Sequence, residues 1–174
     1  AGIPKEVPAY ALNMVCGSGM KAIMNAYQSI LSGANEVVIA GGTESMSKAP
    51  YLLPDRIRPG IKMGGFMVKD HMIDDALTDA FNPIHMGITA ENIVEKYGLT
   101  REEQDAFAFE SQTRAIKAVD EGRFNDEIVP IAIKSRKGDI IFKDDEYPNR
   151  QTNPDKLSNL RPAFKKDGSV TAGN

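Results

Sequence analysis

Apolar positions change their period several times within the first forty residues. Residues 8–15 are rich in apolar side chains and open with Pro8, which a strand tolerates at its first position, so the pattern predicts a short strand. After Cys16-Gly17-Ser18-Gly19 the spacing turns helical: Met20, Ile23, Met24, Tyr27, Ile30 and Leu31 share one face, and Gly33 stands where a left-handed cap would end the helix. Val37, Val38, Ile39 and Ala40 then form an unbroken apolar run within 36–40, the pattern of a strand buried on both faces, stopped by Gly41-Gly42. Strand, helix and strand in this order predict a βαβ unit with a right-handed crossover, and therefore an α/β fold.

From residue 43 to 83 the periodicity dissolves among Pro50, Pro54, Pro59, Gly60, Gly64 and Gly65, with helical hints at 69–76. A long irregular stretch of sustained apolar content predicts a functional or contact-forming loop. Helices resume at 89–97, closed by Gly98, and again from Thr100, where Glu103 three residues on predicts a capping box. Ala108, Ser111, Ala115 and Val119 mark the inner face of that second helix, which Gly122 ends. Residues 128–133 and 139–142 predict a hairpin turning at Arg136-Lys137-Gly138, and 147–164 predicts a polar, proline-bearing loop. No internal repeat is evident.

Composition narrows the classes of function. The 174 residues are 41% hydrophobic with a net charge of -3, and lack clusters of Lys and Arg interleaved with aromatics, which argues against a nucleic-acid platform. No apolar run reaches the roughly 18 residues that cross a bilayer, and the start lacks the order of a signal peptide, so no membrane association and a cytoplasmic location are expected. The chain opens Ala1-Gly2-Ile3-Pro4 and closes Ala172-Gly173-Asn174, ends that read as those of an interior fragment. One cysteine excludes an internal disulfide. His71 and His85, fourteen positions apart with no cysteine or paired carboxylate beside them, make no metal site.

Cys16 concentrates the chemistry. Between a strand end and a helix start, unpaired backbone N–H groups and the positive end of a helix dipole converge; such a field favours thiolate over thiol and holds an oxyanion. Gly17 and Gly19 remove side chains that would block the approach to the sulfur. Taken alone, a single cysteine in apolar surroundings is more often a buried structural residue.

The run Asn13-Met14-Val15-Cys16-Gly17-Ser18-Gly19-Met20-Lys21-Ala22, followed by Ala40-Gly41-Gly42-Thr43-Glu44-Ser45-Met46-Ser47, resembles the nucleophile region of the thiolases, the acetyl-CoA acetyltransferases. The resemblance continues through Asp79-Ala80-Phe81, His85-Met86-Gly87, Thr89-Ala90-Glu91-Asn92, Gln104-Asp105, 124–130, Leu160-Arg161-Pro162-Ala163-Phe164 and Val170-Thr171-Ala172-Gly173-Asn174, and so covers the chain. It implies a partial thiolase fold: residues 1–47 in the N-terminal core with the nucleophile, 48–168 an inserted loop domain for oligomerisation and CoA binding, and 169–174 returning toward the core.

The resemblance implies that Cys16 takes an acyl group from acyl-CoA as a thioester, and that the enolate of a second acetyl-CoA attacks it to give acetoacetyl-CoA, or the reverse with CoA. Coenzyme A thioesters are then substrates, with no tightly bound cofactor. The family's two proton-transfer groups, a histidine in a G-H-P motif and a cysteine in a C-x-G-G motif, are not in these residues, so the fragment is expected not to turn over. His85 resembles the pantetheine contact and Met86 the acyl-pocket wall, pointing to acetyl and acetoacetyl substrates. Phe164 and Ser158 are expected beside the pantetheine groove, and Asn149 or, with a one-residue shift, Arg150 at the CoA adenine or phosphate. Residues 56–75, His71 included, resemble the tetramer-forming loop, implying a homotetrameric parent. A ketoacyl-synthase-like condensing enzyme and a non-catalytic CoA-binding or assembly module are the competing readings.

Overall fold

In a computed structural model, which describes residues 2–174, the chain forms two compact units, 1–78 and 79–174. The first carries one long helix, α1 (Ser18–Leu31). It ends as its sequence predicts: Gly33 takes φ +72°, its N–H donates to the Ile30 carbonyl (3.0 Å), and Ala34 N–H donates to the Ser29 carbonyl (3.1 Å). That pair of bonds is a Schellman motif, satisfying carbonyls the helix would otherwise leave open. A two-residue antiparallel ladder joins β1 (Tyr51–Leu52) to β2 (Lys69–Asp70), and a single wide helical turn follows at Met72–Leu77, where helical hints fell.

The two strands expected around α1 do not form. Residues 8–14 and 37–43 join no ladder, and Val37 and Ile39 are more than four-fifths exposed, not buried on both faces. A parallel strand exists only through its neighbours' hydrogen bonds, and no segment of the chain supplies them here. The apolar face of α1 is likewise uncovered, with Met20 and Leu31 each about two-thirds exposed or more, and no described residue of this unit is buried.

The second unit holds all the buried residues. Helix α2 (Met86–Tyr97) ends at Gly98, which takes the left-handed φ of +66°. Helix α3 (Arg101–Asp120) opens with the predicted capping box: Glu103 N–H donates to Thr100 Oγ1 (3.2 Å), and Thr100 N–H to Glu103 Oε2 (2.8 Å). Its inner face includes Ala108, Ala115 and Val119, whereas Ser111 is exposed. β3 (Ile131–Ile133) and β4 (Ile140–Phe142) pair antiparallel as the hairpin expected, with Gly138 in the turn at φ +113°.

The stretch 147–164 is not all loop, because α4 (Pro154–Ser158) interrupts it. Asn153 caps this helix by accepting from Lys156 N–H (2.9 Å), and Pro154 occupies the first helical position. Leu157, 4% exposed, seals α4 against α3.

Arg101 knits this unit together. Its guanidinium donates to both oxygens of the buried Asp105 (3.0 and 2.9 Å) and to the carbonyls of Leu157 (2.6 Å) and Leu160 (2.9 Å). Asn174 Nδ2 adds a bond to Asp105 (2.7 Å), drawing 169–174 onto α3. The core is thus unusually polar: Glu91, Asp105 and Thr171 are buried beside Leu157. Each is hydrogen-bonded, the condition under which polar burial is tolerated.

Candidate active site

Cys16 lies exposed in the tight turn Val15–Gly17 that runs into α1. Side chains on either side clamp this turn. Asn13 Oδ1 accepts from Val15 N–H (2.9 Å), while the Ser18 hydroxyl accepts from Met14 N–H (2.9 Å) and donates to the Val15 carbonyl (2.7 Å). Val15 sits at φ +46°, the one non-glycine residue with positive φ among those described, a costly conformation for a β-branched side chain. Strain of this kind collects where a turn must present a reacting group. Gly42 approaches the start of α1: a Cβ there would stand 3.9 Å from Gly19 Cα. The sulfur therefore meets solvent at the N-terminus of a helix, with no bulky side chain at 17 or 19, an arrangement suited to attack on a carbonyl.

The second unit brings three of the expected binding residues together and leaves two apart. His85 is the N-cap of α2, its Nδ1 accepting from Gly87 N–H (2.9 Å), so the neutral ring carries its proton on Nε2. Phe164 stacks on this imidazole, with ring centroids 4.9 Å apart and planes inclined by 25°. Gly87 is buried beneath Phe164, where a Cβ would fall inside the phenyl ring, so only glycine admits this approach. Met86 is half-exposed at the same helix start.

Arg150 and Ser158 stand elsewhere. The Arg150 guanidinium forms a bidentate pair with Asp120 (3.0 and 2.5 Å), which holds that carboxyl below its usual range. Ser158 Oγ donates to the Asp155 carbonyl (3.0 Å) within α4. His71 Nδ1 lies 2.8 Å from an Asp75 oxygen, too poorly aligned for a hydrogen bond, in the turn after β2. Among the described residues, no group of three His, Cys, Asp or Glu side chains could hold a metal, and no helix is long and apolar enough to cross a membrane.

Sequence reasoning missed Ser18 and Glu91. Ser18 was visible only as part of Gly-Ser-Gly, and nothing in the sequence showed its hydroxyl reaching back across the cysteine. Glu91 falls at an exposed-looking position of α2, yet the residue is 4% exposed and its carboxylate accepts from Ser169 N–H (3.0 Å) and Val170 N–H (2.9 Å), partners nearly eighty residues away.

Comparison with known proteins places these features. The family model described as "Thiolase, N-terminal domain" matches residues 1–174. A probable acetyl-CoA acyltransferase of Staphylococcus epidermidis is 59% identical over 174 residues, covering 99% of this chain and 44% of the relative. The acetyl-CoA acetyltransferase of Syntrophomonas wolfei is 56% identical over 178 residues, covering all of this chain and 44% of that protein. Among solved structures, the Bacillus anthracis acetyl-CoA acetyltransferase superposes with a TM-score of 0.91 at 47% identity, over 99% of this chain and 43% of its own. The chain thus spans less than half the length of the relatives it matches, and its α/β fold is part of theirs. End to end, the described residues and the sequence around Cys16 belong to the thiolase family, through its N-terminal domain.

Proposed function

We propose that the protein to which this chain belongs is an acetyl-CoA C-acetyltransferase, joining two acetyl-CoA into acetoacetyl-CoA or cleaving the product with CoA. The observation that carries this reading is the exposed Cys16 in a clamped, strained turn at the head of α1, within a chain that matches a thiolase domain throughout. The sulfur attacks the thioester carbonyl, the carbon–sulfur bond to CoA breaks, and CoA leaves as a thiol after gaining a proton. Carbon–carbon bond formation then regenerates Cys16 when the enolate of a second acetyl-CoA attacks the acyl-enzyme. First-turn N–H groups of α1 supply electrostatic stabilisation to the oxyanion.

His85, Met86 and Phe164 form the proposed contact for the pantetheine arm and acyl group, with the His85 Nε2–H free to donate. Arg150 is a weaker CoA contact in this reading, because Asp120 already engages its charge, and Ser158 bonds within its own helix. The reading keeps residues 1–47 in the catalytic core, 48–168 in an inserted loop domain and 169–174 on the way back. It includes a cytoplasmic homotetramer with no tightly bound cofactor. Proton transfer to and from the substrates falls to residues outside the 174, which hold a single cysteine and two histidines, so the chain alone accepts an acyl group without turning over.

Alkylation tests the nucleophile directly. At neutral pH, iodoacetamide should modify Cys16 in the folded chain at least about tenfold faster than it modifies the same chain in urea. Equal rates would remove the activated cysteine from the account.

A further inference from the structure

Glu91 is a buried carboxylate with no part in the chemistry above. It lies one turn after Gly87 on α2, and its Oε1 accepts from both Ser169 and Val170 N–H groups (3.0 and 2.9 Å), with Oε2 also within 3.2 Å of the former. Gly168 packs directly on the carboxylate, where a Cβ would overlap it. The segment gripped in this way is tied to Phe164. Ala163 N–H donates to the Val170 carbonyl (2.9 Å) and Gly168 N–H to the Lys165 carbonyl (3.0 Å), closing 163–170 into a small turn with Phe164 on one limb and the Glu91 contacts on the other. Gln104 Nε2 donates to Ser169 Oγ (2.9 Å), tying the same limb to α3.

From this arrangement we infer that Glu91 is a positioning residue for the CoA-binding wall: by gripping residues 169 and 170 it seats Phe164 over Gly87 and against His85. The inference rests on the CoA-binding reading of His85 and Phe164. Two backbone N–H groups converge on Oε1 and one of them also reaches Oε2 (3.2 Å), and a carboxylate meets them with stronger, shorter bonds than an amide. Glutamine keeps the shape of the side chain and an oxygen able to accept both bonds, but without the charge, and it turns an NH2 donor onto the Ser169 N–H from which Oε2 accepts. In the Glu91→Gln variant the 163–170 turn therefore loosens and Phe164 leaves the imidazole, while α2 and α3 remain.

The chain suits the test because it holds two histidines, so imidazole protons are readily assigned by NMR. In the native chain the His85 ring protons should lie upfield, shielded by the stacked phenyl. In Glu91→Gln they should move downfield toward free histidine, with helix content by circular dichroism preserved and CoA binding about tenfold weaker. In a Phe164→Leu background the same substitution should weaken CoA binding no further, because Glu91 acts through the ring that is already gone. Unmoved His85 shifts in Glu91→Gln, or additive effects of the two substitutions, would overturn the inference. A native chain that binds no CoA, while its His85 shifts still depend on Glu91, would instead sink the binding reading and leave Glu91 as the residue that seats the ring.

Discussion

Replacing Cys16 with Ala in the whole protein should lower acetoacetyl-CoA cleavage by at least about a thousandfold, with the affinity for CoA nearly unchanged. The reason lies in what remains after the substitution. Without the sulfur no acyl-enzyme forms, and the first-turn N–H groups of α1 have no covalent intermediate to stabilise, so binding persists while the route through a thioester closes. Alanine adds no bulk and the position is exposed, so the fold should be indifferent. Measuring the rate of thiolysis beside the Kd for CoA separates the two effects. Full activity in the variant would refute the assignment of the nucleophile.

The second large effect concerns stability. Arg101→Ala should destabilise residues 79–174 by about 3–5 kcal/mol, read as a shift in the urea midpoint. The arginine gathers Asp105 and the carbonyls of Leu157 and Leu160, and its removal takes away the one cationic partner that a buried carboxylate has among the described residues, leaving it the neutral Asn174 amide. Breaking a buried pair by deleting one partner is costly because the other charge stays buried. The contrast within the same unit is instructive. Arg114 pairs with Glu110 at 2.7 Å, but both side chains are more than half exposed, and such pairs are worth about 0–1 kcal/mol. Arg114→Ala is the matched control, and a similar shift for the two variants would show that Arg101 is not the joint between α3 and α4.

Where the determinants were local, they were legible in the sequence. Gly33, Gly98 and the Thr100–Glu103 box act through neighbours three to six residues away, and the structure realises each. The hairpin of β3 and β4 follows from its turn in the same way. Cys16 stood out because Gly17 and Gly19 follow it at a change of period, and the resemblance to the thiolases is what proposes a role for it.

Expectations failed where the determinants were distant. Residues 8–15 and 36–40 have strand-like composition, but a ladder needs partner strands that this chain does not provide, so their apolar side chains stand exposed. The short helix α4 hid in a polar stretch, although Asn153-Pro154 was a readable start signal. Glu91 could not be read at all, since its partners at 169 and 170 become neighbours only in the fold. Arg150 was expected near CoA from the family resemblance, and its guanidinium pairs with Asp120, a partner thirty residues earlier that the sequence pattern does not show.

The central claim is that Cys16 carries the acyl group. Its most direct test is to mix the whole protein with acetyl-CoA, quench in acid, and locate the modification by peptide mass spectrometry. The account predicts one hydroxylamine-sensitive acetyl group on the peptide containing Cys16, gone again after CoA is added. An active protein with no acetyl on that peptide, or with the group on another residue, would contradict it.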